Sequence, residues 1–181
     1  MKIKLLRYSI LIVLILCSTI IIAKIVYPNK YSNEIAKYSE KYRVDPILVK
    51  AVIKAESNFR PGVKSPKNAY GLMQITPATS EWAGKEMKIE SFSLDKLYVP
   101  DFNIKMGCWY LSKLNEEFKG NVDLVLAAYN GGPGNVQKWL NDEKHSIDGK
   151  SLHYIPFEET DKYVKKVRVN YNIYKFLYSQ N

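Results

Sequence analysis

DPILVKAVIKAESNFRPG, residues 45–62, is the stretch from which the rest of the chain is read. Asp45 is a good N-cap, and Pro46 fills the first helical position, where a missing N–H costs nothing. Ile47, Leu48, Ala51, Val52 and Ala55 follow at i, i+1, i+4, i+5 and i+8, one apolar face of a helix. The run stops near Glu56-Ser57, because Asn58-Phe59-Arg60-Pro61-Gly62 is turn chemistry. Glu56 therefore falls in the last turn, where the helix dipole is already negative and a lysine would be favoured. A carboxyl placed against that preference, between Ala55 and Phe59, has reason to titrate high, as a general acid at neutral pH must. From its position alone, a solvated glutamate at a fraying helix end is the more ordinary reading.

Working outward, nearly every periodic segment reads as helix. Pro28–Tyr31 is a short linker, and Ser32 is expected to cap a helix running to about Tyr42. Residues 58–76 read as loop. Thr76-Pro77 opens a short helix to about Ala83, and Asp101 is expected to cap a longer one with Ile104, Cys108, Leu111, Leu114 and Phe118 inward. Gly120 ends it, and Asn121 caps the next, from Val122 to about Tyr129, which stops at Gly131-Gly132-Pro133-Gly134. A short helix over about 135–140, a polar loop over 141–154 and a last helix from about Glu159 to Tyr178 complete the chain. The expectation is a mainly α domain over residues 31–181, with no internal repeat.

Residues 1–30 read differently. Lys2, Lys4 and Arg7 precede an uncharged run, YSILIVLILCSTIIIA over 8–23, interrupted by Lys24 and resumed by Ile25-Val26-Tyr27. Twenty helical residues from Tyr8 to Tyr27 rise ~30 Å, the thickness of a bilayer core. The basic flank puts the N-terminus in the cytoplasm and the domain outside. Ser18-Thr19-Ile20 and Ile22-Ala23-Lys24 are poor cleavage sites and Leu16 a poor neighbour for an acylated Cys17, so an uncleaved transmembrane anchor is expected ahead of a cleaved signal.

Composition narrows the function. At 46% hydrophobic and 25% charged residues, the 181-residue chain is globular rather than disordered or fibrous. The formal charge is +9, but four of the 27 basic residues lie in the first 27 positions, which hold no acids. The rest carries 23 basic against 18 acidic residues, a mild +5 that suits an anionic cell wall or headgroup surface and falls short of the basic stripe nucleic acid demands. Cys17 and Cys108 form no disulfide framework, and with His145 and His153 isolated no metal or cofactor site is expected. Fourteen tyrosines suit a sugar ligand, whose faces stack and whose hydroxyls hydrogen-bond, although tyrosine also fills cores.

Further segments gain meaning together. Gly71-Leu72-Met73-Gln74 combines a backbone that a ligand can approach, a soft apolar side chain and an amide. Ala128-Tyr129-Asn130-Gly131 sets a tyrosine and an asparagine at a helix end, which an ordinary C-cap also explains. With Ala55-Glu56-Ser57 before them, Asn103-Ile104, Gly107 and Tyr110-Leu111 between them, and Ile155-Pro156, Glu159-Thr160 and Tyr163-Val164 after them, they form one ordered series. The series resembles the lytic transglycosylases of the soluble-lytic type, whose catalytic domain has a lysozyme-like fold, over roughly residues 33–178.

That resemblance implies Glu56 as the single catalytic acid/base, Ser57 polarising the glycan, and Met73 and Gln74 lining the groove. It sets Tyr129, Asn130 and Tyr163 around Glu56 and the muramic acid sugar, and Glu159 against glycan or peptide stem. Where the family often has arginine after Glu-Thr, this chain has Asp161, which exchanges a cation for an anion at the groove's edge. The implied substrate is the peptidoglycan glycan strand, cut without water, metal or cofactor to leave 1,6-anhydro-N-acetylmuramic acid. Two alternatives remain: a hydrolase of the goose-type lysozyme kind, needing a second acid such as Glu81, Glu86, Glu90 or Asp95, and a non-catalytic glycan-binding module.

Overall fold

The computed structural model describes residues 2–90 and 92–179; the side chains of residues 2–6, 8 and 9 lie outside the description. Among the described residues the regular structure is helical: α1 (Lys2–Val26), α2 (Ser32–Tyr42), α3 (Pro46–Glu56), α4 (Pro77–Glu86), α5 (Pro100–Glu117), α6 (Val122–Gly131), α7 (Pro133–Leu140) and α8 (Glu158–Tyr178), with a 3-10 turn over Leu94–Tyr98. Isolated β-bridges, Lys64 with Tyr70 and Tyr70 with Ile75, tighten the loop before α4.

Side-chain caps open α3, α4 and α6. The Asp45 carboxylate accepts from the Ile47 N–H at 2.7 Å, the Thr76 hydroxyl from Thr79, and the Asn121 amide oxygen from Leu124. Two expected caps are overturned. Ser32 opens α2 but donates back to the Asn29 carbonyl, and Tyr31, in the left-handed region at φ 56°, stands at the N-cap. Asp101 lies inside the first turn of α5, where its carboxylate takes the Tyr38 hydroxyl at 2.7 Å and Lys37 at 3.2 Å. A tertiary tie between α2 and α5 thus outcompetes the local cap.

The core is continuous. α3 packs on α8, α2 on α5, and α6 on both α7 and α8. Val49, Val52, Ile53, Leu72, Ile104, Leu111, Leu126, Val167 and Tyr174 are buried at its centre. Fully burying each large apolar side chain is worth ~1.5–3 kcal/mol, so this core is large enough to hold α3 and α8 in fixed register. Cys108 is a buried free thiol whose pKa burial pushes up to about 12, inert packing rather than chemistry.

The expected membrane span needs correction in its described extent. α1 is helical over Lys2–Val26, and its large side chains from Ile10 to Leu16, Ile20 to Ile22, and Ile25 to Val26 are exposed. Yet among the described residues no helix is long and apolar enough to cross a membrane. The stretch with continuously described side chains begins at Ile10, and from there to Val26 the helix rises ~26 Å, short of a ~30 Å core. Tyr8 and Ser9, which the expected span includes, lie outside the described side chains.

Candidate active site

The end of α3 meets the first half of α8, and Glu56 stands at that junction as the last residue of α3. It keeps part of its surface open to solvent, but its carboxyl is raised from 4.5 to about 7. Desolvation is the largest cause. The Tyr163 hydroxyl and then the Lys166 ammonium act in the opposite sense, and the Glu159 charge adds a small upward push. Tyr163 comes from α8 and Tyr129 from α6, and burial followed by the Glu56 charge drives both phenols well above 10. Tyr129 is fixed by a 2.7 Å bond from its hydroxyl to the Met73 carbonyl. The buried Tyr163 hydroxyl is close enough to stabilise the Glu56 carboxylate but completes no hydrogen bond of good geometry. The corner is thus polar, poorly hydrated and incompletely paired.

The other expected residues divide. Asn130 lies beside this corner at the end of α6, its amide oxygen accepting from the buried Thr160 hydroxyl at 2.8 Å. Glu159 is exposed at the start of α8 and binds Lys67 through both oxygens, at 2.8 and 2.6 Å, tying α8 to the loop before α4. The Gln74 amide nitrogen donates to the Val63 and Gly71 carbonyls, so its N–H groups brace that loop and its amide oxygen is what remains for a ligand.

Two more of the expected residues are buried. Ser57 is 1% exposed and its hydroxyl donates to the Ile53 carbonyl, so it finishes α3 rather than facing a glycan. Met73 is 0% exposed, with its side chain against Gly107, where a Cβ would collide with the methionine sulfur. It serves the site through its carbonyl, which holds Tyr129, and does not line a groove with its thioether.

Three contributors received no role from the sequence, although Asn103 and Tyr110 stand in the ordered series. Asn103, fully buried on α5, accepts from the Met73 N–H and donates to the Tyr70 and Leu97 carbonyls, each at 2.8 Å. It fixes the 70–74 loop, and Gly71 (φ 74°) is required there because a Cβ would strike the Leu97 carbonyl and the Asn103 amide. Second, an aromatic row leads inward from the exposed Trp82, through Trp109 at 4.8 Å and Tyr110 at 6.1 Å, to Tyr129 at 5.3 Å from Tyr110. Third, Lys166 of α8 donates to the Ala55 carbonyl at 2.7 Å, one residue before Glu56. Residues so distant in sequence give no periodic signal; only the aromatic richness of the chain hinted at the row.

No group of three His, Cys, Asp or Glu residues stands together for a metal ion among the described residues. A cavity of about 360 Å³ bounded by Arg43, Leu48, Leu111, Leu126, Arg168 and Tyr171 includes none of the residues around Glu56.

A family model described as the transglycosylase SLT domain matches residues 33–151. The chain belongs to this family. Its SLT domain is 36% identical over 143 residues to the soluble lytic murein transglycosylase of Escherichia coli K12, covering 78% of this chain and 22% of that protein. The putative soluble lytic murein transglycosylase of Haemophilus influenzae is 33% identical over 149 residues, covering 81% and 25%. The 70-kDa soluble lytic transglycosylase of Escherichia coli superposes with a TM-score of 0.76 at 31% identity, over 85% of this chain and 25% of that one. A 70-kDa soluble lytic transglycosylase solved in complex with bulgecin A superposes with a TM-score of 0.76 at 30% identity, over 85% of this chain and 25% of that one. An inactive glutamate-to-glutamine mutant of the Pseudomonas aeruginosa lytic transglycosylase Slt superposes with a TM-score of 0.74 at 32% identity, over 84% and 25%. The chain therefore spans about a quarter of the length of these relatives and shares their lysozyme-like SLT domain.

Proposed function

We propose that this chain is a peptidoglycan lytic transglycosylase that cleaves the β-1,4 bond between N-acetylmuramic acid and N-acetylglucosamine and leaves a 1,6-anhydro end. The observation that carries the reading is one carboxyl, Glu56, held near pH 7 between the buried Tyr163 and the half-buried Tyr129. A group poised there is protonated often enough to act as acid and ionised easily enough to act as base. In the first step Glu56 donates its proton to the glycosidic oxygen, while the sugar's 2-acetamido group supports the positive charge growing at C1. In the second, the Glu56 carboxylate takes the proton of the muramic C6 hydroxyl and that oxygen closes on C1. Atoms balance without water, metal or cofactor. The relatives' names and the inactive glutamate-to-glutamine mutant support this reading.

Roles follow from position. Tyr163 steadies the charge on Glu56, and Tyr129 and Asn130 wall the reacting sugar. Gln74 offers its amide oxygen, Glu159 contacts the glycan or its peptide stem, and Trp82, exposed at the outer end of the aromatic row, supplies a face on which a sugar ring stacks.

The hydrolase reading has one observation in its favour, the charge coupling of Glu159 to Glu56. Against it, Glu159 is exposed and committed to Lys67, while Glu81, Glu86, Glu90 and Asp95 contribute nothing to the Glu56 titration. A module that only binds glycan has no use for a carboxyl held at such cost.

The reading includes an anchor in residues 1–30, carrying the 31–181 domain on the outer, cell-wall side of a membrane. Its support is the uncharged, largely apolar surface of α1 from Ile10 to Ala23, with the Ser18 and Thr19 hydroxyls folded back onto the Ile15 and Leu16 carbonyls at 2.8 Å. Tyr178 bonds to the Tyr27 carbonyl and Lys54 to the Val26 carbonyl, docking the end of α1 on the domain. Extraction of cell membranes with alkaline carbonate tests this: the intact chain stays in the pellet, and release of a form lacking the first 27 residues contradicts it.

Digestion of purified sacculi tests the chemistry. The parent protein is expected to release muropeptides one water lighter than lysozyme products and resistant to borohydride. Reducible ends as the main product contradict the reading.

A further inference from the structure

Lys166 presents an ammonium group at the end of α3, a place where four helical carbonyls lack partners and the dipole is negative. Its Nζ bonds to the Ala55 carbonyl at 2.7 Å, across 111 positions of sequence. The reach is fixed by packing: α8 lies along α3, Tyr163 and Val167 are buried on either side of Lys166, and Asn170, one turn further, bonds to the Ala51 carbonyl. Two side chains of α8, one turn apart, therefore cap the last two turns of α3.

We propose that Lys166 is a positioning residue for the reaction, which holds the end of α3 through the Ala55 carbonyl and from there tunes how readily Glu56 gives up and takes back a proton. The inference rests on Glu56 being the group that carries the proton. A carboxyl buried at a helix C-terminus has two reasons to stay protonated, desolvation and the dipole. One that stays protonated too firmly serves as acid but fails as the base that must collect the C6 hydroxyl proton. A cation bound to the neighbouring carbonyl offsets both effects without taking up a carboxylate oxygen. The groups facing Glu56 are few. From α8 they are the Tyr163 hydroxyl, the Lys166 ammonium and the Glu159 carboxylate, and from α6 the Tyr129 hydroxyl. The tyrosines are neutral throughout the working range, and the Glu159 carboxylate, paired with Lys67 at the surface, pushes Glu56 up rather than down. Lys166 is thus the cation whose charge is felt at Glu56. It also depresses Lys54 on the same helix, which burial already lowers, so the field reaches across the end of α3.

The test separates charge from hydrogen bonding and from catalysis. The Glu56 side-chain carboxyl is followed by carbon-13 NMR in the full-length protein, with Glu56→Gln assigning its signal, in the parent, Lys166→Met, Lys166→Gln and Lys166→Arg. Met removes the bond and the charge, Gln keeps a donor without charge, and Arg keeps both. The Glu56 titration is expected to move up by about 0.5–1 pH unit in Met and Gln alike and to stay within about 0.3 unit in Arg. The shift should shrink in high salt, because Lys166 is exposed. In muropeptide release, the fall in rate at alkaline pH should move up by the same interval in Met and Gln. A titration unchanged in Lys166→Met, with the thermal midpoint kept, overturns the proposal. So does a shift in Met that Gln restores, which would make Lys166 a cap only. If Glu56 titrates as proposed while Glu56→Gln still cuts sacculi, the electrostatic inference stands and the catalytic reading falls.

Discussion

Two polar clusters in this domain are built from the same kinds of groups and treated in opposite ways. Around Asn103, the Met73 N–H and the Tyr70 and Leu97 carbonyls are matched by three bonds of 2.8 Å, and nothing is left over. Around Glu56, the Tyr163 hydroxyl completes no bond and the carboxyl is lifted to about 7. A satisfied buried network stabilises and fixes a loop, whereas an incompletely paired one keeps free energy available for a ligand. The first cluster positions the 70–74 loop, and through the Met73 carbonyl and Tyr129 it forms one wall of the second.

The sharpest way to break the contrast is Glu56→Gln. Activity on sacculi should fall by about 10³-fold or more, since the amide cannot donate the proton. The fold should gain at the same time. Between the ordinary 4.5 and about 7, the folded protein binds a proton that the unfolded chain releases, so stability declines as pH rises through that window. Glu56→Gln should match the parent near pH 4 and exceed it at pH 8 by on the order of 2–3 kcal/mol. Urea unfolding at the two pH values reads this, and an equal gain at both would show that the carboxyl is not desolvated in the folded state.

Asn103→Ala attacks the satisfied side. It orphans the buried Met73 N–H and the Leu97 carbonyl, leaves the Tyr70 carbonyl with the Ile75 N–H alone, and should cost about 2–4 kcal/mol. If its unfolding midpoint matches that of the parent, the network is not what holds the loop. Tyr163→Phe is the mild counterpart at the other cluster. It deletes an oxygen with no complete bond, so stability should change by less than about 1 kcal/mol, while the Glu56 pKa rises because its carboxylate loses a stabilising hydroxyl. A large loss of stability would mean that the hydroxyl is fully paired. Away from both clusters, Cys108→Ala should cost about 1–2 kcal/mol for a small cavity and leave turnover intact.

The same contrast marks what the sequence makes legible. Glu56 is readable because Asp45-Pro46 sets where α3 begins and the turn at Asn58–Gly62 sets where it ends, and a carboxyl at that end contradicts local preference. Tyr129, Asn130, Glu159 and Tyr163 are readable only as members of an ordered series. Ser57 and Met73 belong to that series too, yet burial turns one into a helix end and the other into core. Motif membership carries a position in the chain, not the direction of a side chain. Asp101 looks like a cap because nothing local reveals Tyr38 and Lys37, and Asn103 and Lys166 act on partners 30 and 111 positions away.

The central claim is that the C6 hydroxyl of the sugar, and not water, takes the place of the leaving group at C1. Digestion of sacculi by the full-length protein in oxygen-18 water, read by mass spectrometry of the released muropeptides, tests it directly. The account predicts unlabelled 1,6-anhydro ends as the main product; labelled, reducible muramic ends as the main product would contradict it.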